Sequence, residues 1–430
     1  MKDCFQNIMA DSLTGALFAV EGIKDAAVIL NGPTGCKFYH SAISDYQFPR
    51  ELSFDPLNYP EEFYFGQPRI PCTYLDGYDY VYGSSEKLKN ILRDIEGKEY
   101  NLLAVVNSPG AALIGDDLNG FLKSEVKDTL CFSIESTGFS GDFGDGFQKA
   151  VIKILESMCM EPGKVISKSV NLIGISIYNK YYEGNIKEIK RLLNLCGIEV
   201  ISTLCAGDDF HTIKNSNKAA LNVVLYPEYG CEIAKWMEKE YHRPYILCDD
   251  GLPIGFESTE YFIKNICESL EIDPYYALDE IKGARARSFL YISRFNSITG
   301  LPKGSSFSIR GEASVVYPMT KWLYTYLGMV PASIQLMESN YKKLEQKLHS
   351  FLENIGFEDV FEKSIYEEAG EIVFADGNTI AQLRLKNKKF TGIEIGLPSL
   401  GYIDLMPKTI MGSKGALMLV EQVLNGLQFL

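Results

Sequence analysis

The sequence lacks the features that mark membrane proteins and nucleic-acid-binding proteins. No apolar run in its 430 residues approaches the length of a bilayer span, and residues 1–9 contain no continuous apolar stretch. The formal net charge is −14, whereas binding to nucleic acid or to an anionic membrane requires a basic surface. We therefore expect a cytoplasmic protein whose partners are proteins and small molecules, with no nucleic acid and no membrane among them.

The sequence motifs of several enzyme classes are also missing. There is no GxxxxGK[ST] phosphate-binding loop, so we expect that this chain binds no ATP, and neither GxSxG nor HExxH occurs. The four histidines are scattered along the chain. Paired acids such as Asp116-Asp117 and Asp208-Asp209 stand where turns meet helices, and acids in that position more often cap helices than catalyse reactions.

Ten cysteines are present without a single CxxC pair, so neither a zinc ribbon nor, in a cytoplasmic chain, a disulfide framework is expected. Most of them stand inside apolar runs, where free cysteines pack as small hydrophobic residues. Cys4, Cys36 and Cys72 differ because their sequence neighbours are polar or are glycine and proline. These three cysteines are the candidates for chemistry.

The composition is that of a globular protein, with 46% hydrophobic and 12% aromatic residues. The chain is too long for one hydrophobic core. Strand-like apolar runs alternate with helical patterns along its length, which predicts right-handed βαβ units and parallel sheets. We predict an α/β protein with three Rossmann-like, doubly wound domains, at residues 1–162, 163–285 and 286–430.

The stretch from Ala26 to Cys36 is the point around which the chain is arranged. The apolar run Ala26–Leu30 ends abruptly in Asn31-Gly-Pro-Thr-Gly-Cys36, so the backbone turns at the carboxyl end of a buried strand, where open α/β sheets bind ligands. Gly32 permits a close backbone approach and Pro33 stiffens the turn. A rigid loop carrying one outward thiol suits a metal cluster, and a half-buried packing cysteine in an ordinary strand-to-helix turn is the alternative.

Seven sequence blocks occur in the order in which they occur in nitrogenase component 1 and its relatives. They are Asn31-Gly-Pro-Thr-Gly-Cys36, Asp79-Tyr-Val-Tyr-Gly-Ser-Ser-Glu-Lys-Leu88, Leu113-Ile-Gly-Asp-Asp117, Ser136-Thr-Gly-Phe139, Pro227 to Ala234, Leu252-Pro-Ile-Gly255 with Thr259, and Met411-Gly-Ser-Lys-Gly-Ala416. The chain resembles this family over nearly its whole length. The family includes both nitrogenase subunits, the scaffold that matures their cofactor, the dark-operative protochlorophyllide and chlorophyllide reductases, and a reductase of nickel-tetrapyrrole synthesis.

The resemblance implies three Rossmann-like domains and a β-like or homo-oligomeric subunit of a nitrogenase-like oxidoreductase. A separate ATP-hydrolysing iron-sulfur reductase would pass electrons to a [4Fe–4S]-type cluster near Cys36, and the cluster would reduce a small molecule. The other partner would be a sister component 1 subunit or a second copy of this chain. Two alternatives stay open: a non-catalytic scaffold for assembly of a metal cluster or tetrapyrrole, and a clusterless structural subunit. The substrate is not indicated.

The family's cluster ligands match this sequence only in part. Cys36 matches the central cluster cysteine. Asp11 stands where the upstream cysteine of the β-type subunit is expected, and it could either bind iron or cap a helix. The third cysteine position falls on Pro109, so only the neighbouring Ser108 could substitute there. Because the set is incomplete, the resemblance predicts a cluster that is shared with a partner chain.

Two further cysteines are candidate ligands, and one cofactor is not expected. Cys72 matches a family cysteine that does not bind the cluster in nitrogenase itself, and Cys4 could replace a missing ligand from the amino-terminal segment. The molybdenum-iron cofactor of nitrogenase needs a cysteine where this sequence has Val200, and a histidine in the loop at residues 401–411, which contains none. We therefore expect no molybdenum-iron cofactor in this chain.

Overall fold

The computed structural model of the protein describes residues 9–37, 70–95, 100–127, 129–135, 141–161, 163–400, 404–428 and 430. Its strands form three separate parallel sheets. Cys4 and the whole predicted block Ser136-Thr-Gly-Phe139 lie outside the described residues. Within the described part of the chain, none of the helices is both long enough and apolar enough to cross a bilayer.

The first sheet contains three strands in the order β1-β2-β3, and all of its pairs are parallel. Its strands are β1 (Ala26–Asn31), β2 (Leu102–Asn107) and β3 (Leu130–Ile134), and its helices are α1 (Ser12–Glu21), α2 (Asp79–Tyr82), α3 (Ser85–Ile95), α4 (Pro109–Ala112), α5 (Leu118–Glu125) and α6 (Phe143–Ser157). Cys72 adds one rung on the outer side of β1, because it pairs in parallel with Leu30.

Every residue of β1 and β2 is buried. One face of each strand packs with α1 and α6, whereas the other face packs with Leu88 of α3 and with Leu118 and Leu122 of α5. Burial on both faces explains why these strands are continuous apolar runs rather than alternating ones.

The helices α1 and α6 pack backbone against backbone. A β-carbon on Gly15 would lie 2.1 Å from the carbonyl oxygen of Phe143, and one on Gly146 would lie 1.9 Å from that of Ser12. Only glycine fits at such contacts. The close approach aligns the two helix starts, so that Asp11 and Asp142, which cap α1 and α6, form a β-bridge with each other.

The second and third sheets share one topology. Their strands are β4 (Ile166–Ile173), β5 (Glu199–Thr203), β6 (Ala219–Val224), β7 (Tyr245–Leu247), β8 (Ser306–Gly311), β9 (Val330–Leu336), β10 (Ile372–Asp376) and β11 (Thr391–Gly396). The orders are β5-β4-β6-β7 and β9-β8-β10-β11, and every pair is parallel. The predicted fold class, α/β with three Rossmann-like parallel-sheet domains, is therefore confirmed.

Helices flank both of these sheets. They are α7 (Tyr182–Leu195), α8 (Phe210–Lys214), α9 (Pro227–Tyr241), α10 (Phe256–Ser269), α11 (Tyr275–Thr299), α12 (Ala313–Thr325), α13 (Lys343–Ile355), α14 (Gly377–Leu385) and α15 (Gly412–Gln428). The expected domain boundary at residue 285 falls inside helix α11. The predicted domain limits stay predictions.

One local expectation differs from the structure, and one strand was not expected from the sequence. The pattern of Tyr78–Tyr82 is typical of a short strand, but Asp79–Tyr82 is the helix α2. The Asp76 carboxylate accepts a hydrogen bond from the Tyr78 amide, and the Asp79 carboxylate accepts one from the Asp76 amide, which favours a helical turn.

The strand β9 has no clear sequence signal, since Pro331 and Gln335 interrupt its apolar residues. It lies at the edge of its sheet, where proline is tolerated.

The three sheets meet at a small cavity of about 20 Å3. The buried Glu228 and the half-buried Glu312 line it. The amide of Ser314 donates to Glu228 Oε1 at 2.8 Å, and the Tyr229 hydroxyl donates to Glu312 at 3.1 Å. Glu228 Oε2 has no hydrogen-bond partner among the described residues. Burial raises the pKa of Glu312, and it raises the pKa of Glu228 to about 7.

The raised pKa of Glu228 makes the stability of the protein depend on pH. The folded state binds the Glu228 proton more tightly than the unfolded state, so stability is lost as the pH rises from about 4.5 to about 7. Glu228→Gln keeps an acceptor for Ser314 and removes the titration. Between pH 5 and pH 8, we expect the free energy of unfolding of wild type to fall by about 2 kcal/mol more than that of this variant. Urea unfolding at the two pH values measures both.

The control for this experiment is Glu338→Gln, at an exposed carboxylate on the rim of the same cavity. Its unfolding curve should follow that of wild type at both pH values. If wild type and Glu228→Gln lose stability in parallel between pH 5 and pH 8, Glu228 is not the group that titrates.

Candidate functional site

The candidate site lies at the carboxyl ends of β1 and β2, where the connections of the chain run to opposite sides of β1. The chain leaves β1 on one side to form the rung at Cys72 and returns on the other side as β2. Doubly wound sheets bind ligands at such a switch point. The loop after β1 carries Cys36, and the loop after β2 begins with Ser108, so two of the predicted site residues leave adjacent strands at this point.

A buried polar network occupies the floor of this crevice. The Asn31 side-chain amide donates to Asn107 Oδ1 at 2.8 Å and to Ser84 Oγ at 3.1 Å. The Ser84 hydroxyl donates to Asp116 at 2.7 Å, and the Thr73 hydroxyl donates to Asn31 Oδ1 at 2.9 Å. Three of the sequence blocks that carry the family resemblance therefore meet through their side chains.

Sequence reasoning assigned no binding or catalytic role to these five polar residues, and for Asp116 it favoured a helix cap rather than the bond to Ser84. The available signal was their position, because Asn31 and Asn107 each terminate an apolar strand and Ser84 and Asp116 lie within recognised blocks. Nothing in the local sequence indicates that they contact one another.

The network holds the Cys36 loop through its first glycine. The Gly32 amide donates to Thr73 Oγ1 at 3.0 Å, and the Gly32 carbonyl accepts from the Leu75 amide at 3.1 Å and from the Cys72 thiol at 3.2 Å. A β-carbon on Gly32 would lie 2.7 Å from Ser108 Oγ, so the two loops touch only because this residue is glycine.

Two predicted site residues, Asp11 and Ser108, lie near the sulfur atom of a third, Cys36. Cys36 is half-buried, and the Ser108 and Asp11 side chains lie close enough to its sulfur to shift the pKa of its thiol. Burial raises the pKa of the Cys36 thiol and the negative charge of Asp11 raises it further, while the polar side chain of Ser108 lowers it. A bound metal ion supplies the positive charge that converts such a thiol to a thiolate.

Asp11 and Ser108 are also helix caps. Asp11 Oδ1 accepts from the Thr14 amide at 2.9 Å and from the Thr14 hydroxyl at 2.7 Å, and Ser108 Oγ accepts from the Ala111 amide at 3.2 Å. The capping alternative for Asp11 is therefore what the structure shows. Both bonds use Oδ1 and neither engages Oδ2, so a ligand role for Asp11 stays a prediction.

Cys72 lies behind the loop rather than on its surface. It is 4% exposed, its thiol donates to Gly32, and the Tyr74 amide donates to its sulfur at 3.5 Å. Burial raises the pKa of this thiol to about 11. As a metal ligand, Cys72 would have to give up its bond to the Gly32 carbonyl, and its predicted ligand role is not tested by this arrangement.

The described residues do not form a complete metal site. Among them, no group of three or more His, Cys, Asp and Glu side chains is arranged to hold a metal ion. Cys36 with Asp11 and Ser108 fits part of a cluster site, since sulfur and oxygen donors meet there at an open edge. Val200 lies in the edge strand β5, away from this loop.

An exposed apolar surface lies beside the Cys36 loop, and we call it the apolar rim. It consists of Tyr78, Val81 and Tyr82 on and next to α2 and Leu113 after α4, with exposures of 69%, 72%, 72% and 87%. Tyr80 joins α2 to α4, because a β-carbon on Gly110 would lie 2.8 Å from its hydroxyl oxygen. Exposed apolar groups of this kind mark interaction surfaces of proteins.

Comparison with known proteins agrees with this architecture. The sequence profile of the family described as "Nitrogenase component 1 type Oxidoreductase" matches residues 12–428. The chain is 22% identical to the nitrogenase molybdenum-iron protein beta chain of Methanococcus maripaludis, over 96% of this chain and 91% of that protein. It is 25% identical to one of the subunits of the light-independent protochlorophyllide reductase of Stigeoclonium helveticum, over 73% of this chain and 61% of that relative.

A nitrogenase alpha chain and a solved structure complete the comparison. The alpha chain of the molybdenum-iron protein of Methanothermobacter marburgensis is 30% identical, over 63% of this chain and 56% of that protein. A structure described as "Nitrogenase Cp1 at pH 6.5" superposes with a TM-score of 0.78 at 17% identity, over 98% of this chain and 92% of that one, which shows a shared fold. The profile match spans almost the whole sequence, and the chain therefore belongs to the family of nitrogenase component 1 type oxidoreductases.

Proposed function

We propose that this protein is one subunit of a nitrogenase-like oxidoreductase. In this proposal an iron-sulfur cluster beside Cys36 receives electrons from an ATP-hydrolysing iron-sulfur reductase and delivers them to a small molecule. The observation that carries it is the convergence of Cys36, Asp11 and Ser108 at the switch point of the first sheet, next to the exposed apolar rim.

The incomplete ligand set supports a cluster shared between two chains. A [4Fe–4S] cluster is usually held by four thiolates. The described residues offer one half-exposed thiol at the loop, with a carboxylate and a hydroxyl beside it. When bound, such a cluster supplies one-electron transfer. In this chain, Cys36 would hold it as a thiolate, while Asp11 and Ser108 would either bind iron or tune the cluster's potential through charge and hydrogen bonding.

The apolar rim supports a partner at the same place. The relatives named above are chains or subunits of larger proteins. A sister component 1 subunit, or a second copy of this chain, would cover the rim and complete the ligands of the cluster. The oxygen donors at Asp11 and Ser108 also suit a cluster that is held for transfer, so a scaffold role is the second candidate.

The central prediction concerns Cys36. After anaerobic reconstitution with iron and sulfide, Cys36→Ala should retain background iron only, because the loop then carries no thiolate. Cys131→Ala is the matched control, since Cys131 is a half-buried thiol near the amino end of β3 in the same sheet, and this variant should retain wild-type iron. Iron and sulfide analysis with EPR spectroscopy measures both.

The reconstituted wild-type protein separates the three roles. Reduction of its cluster by an ATP-hydrolysing iron-sulfur reductase supports the oxidoreductase. A cluster that forms but is not reduced in an ATP-dependent way favours the scaffold. Absence of bound iron, in the chain alone and together with a sister subunit, favours the clusterless structural subunit and contradicts the proposal.

Cys72 provides a second prediction. If its sulfur serves to hold the Gly32 carbonyl, Cys72→Ser preserves the donor and should retain most of the iron, whereas Cys72→Ala should lose part of it as the loop loosens. Equal, complete loss of iron in Cys72→Ser and Cys36→Ala would instead identify Cys72 as a ligand. The measurement is iron content per chain after the same reconstitution.

A further inference from the structure

A second cavity, of about 190 Å3, lies at the start of α10, between that helix and the helices α11 and α12. We call it the α10 pocket. None of the residues lining it belongs to the first sheet or to the Cys36 loop. Sites for drug-sized ligands measure roughly 300–1,000 Å3, so the α10 pocket suits a smaller molecule.

The start of α10 offers main-chain donors to this pocket. Gly255 precedes the helix with φ +80°, and no side chain caps the helix. The first hydrogen bond of the helix is donated by the Thr259 amide to the Gly255 carbonyl, at 3.2 Å. The amides of Phe256, Glu257 and Ser258 therefore have no acceptor within the helix. An uncapped helix start of this kind attracts anions.

The indole of Trp322 is a separate observation that points to a ligand. Trp322 is only 5% exposed, and its Nε1 has no hydrogen-bond partner among the described residues. A β-carbon on Gly255 would lie 2.9 Å from this nitrogen, so the N–H lies against the start of α10. Since an indole nitrogen can only donate, the group that it lacks is an acceptor.

Two cations line the same pocket. Arg285 of α11 has its guanidinium over the Phe256 ring at 5.8 Å and forms an ion pair with Glu260 at 2.8 Å. Lys321 of α12 lines the pocket and forms no ion pair with the described residues. The one acid that lines the pocket, Glu257, is exposed.

We propose that the α10 pocket binds the phosphate group of a small molecule. Main-chain amides, an indole N–H and two cationic side chains come from three helices, and a tetrahedral oxyanion has enough acceptor oxygens to serve several of them at once. Trp322 and Tyr326 stack with ring centroids 5.9 Å apart and form an aromatic wall, which would contact an apolar part of the molecule. This binding does not depend on the proposed cluster.

The chain provides its own reporter for a binding experiment. It has two tryptophans, so in a Trp236→Phe background Trp322 is the only source of indole fluorescence. We expect titration with inorganic phosphate to change this fluorescence in a saturable way. Potassium chloride at matched ionic strength should not, because it screens charges without occupying the donors.

Variants in the same background test the assignment of residues. Lys321→Ala and Arg285→Gln should each weaken phosphate binding about tenfold, since each removes a charged donor. Arg287→Gln is the matched control, because Arg287 is an exposed arginine two residues further along α11 that does not line the pocket. Arg285→Gln also breaks the ion pair with Glu260 and could weaken binding by loosening α10. Lys321→Ala breaks no such pair among the described residues, so its effect on phosphate binding is the one that tests the proposal.

Phenyl phosphate distinguishes the sources of the phosphate group. Tighter binding of phenyl phosphate than of inorganic phosphate identifies a phosphorylated molecule with an apolar body, and equal binding identifies free phosphate. The proposal is overturned if potassium chloride reproduces the response, or if Lys321→Ala binds phosphate as tightly as Arg287→Gln does.

Discussion

The hydrogen bond between the side chains of Asn31 and Asn107 is the contact on which the candidate site depends. It joins the last residues of two adjacent buried strands, and its members also bind Ser84 and Thr73. Buried polar groups are costly unless they are paired, so a satisfied network of this kind specifies one arrangement of the loops that follow. The loop bearing Cys36 and the turn bearing Ser108 both start from it.

Glycine contacts determine which residues can reach the Cys36 sulfur. Gly32 lets its loop touch Ser108, and Gly15 with Gly146 lets α1 approach α6 closely enough to align Asp11 with Asp142. The Asp11 carboxylate thereby lies within electrostatic range of a sulfur that is 25 positions away in the sequence. The site is assembled by backbone proximity, and the polar side chains complete it.

The junction of the three sheets and the α10 pocket have opposite chemical character. Several carboxyl groups line the junction of the three sheets, and one oxygen of the buried Glu228 has no partner among the described residues. The α10 pocket is lined by two cationic side chains, Arg285 and Lys321, and by a single acid, the exposed Glu257. A proton or another cation suits the first cavity and an anion suits the second, so they do not compete for one ligand, and neither includes the Cys36 loop.

The sequence by itself determined the alternation of strands and helices, the parallel sheets and the turn that presents Cys36, because these follow from local periodicity and from glycine and proline. It also determined the family, through blocks that keep their order. Only the tertiary structure decided that Val330–Leu336 is an edge strand and that Cys72 supports the loop from behind. It alone joined Asn31 to Asn107, because contacts between residues 76 positions apart depend on how the sheet is assembled and leave no local pattern.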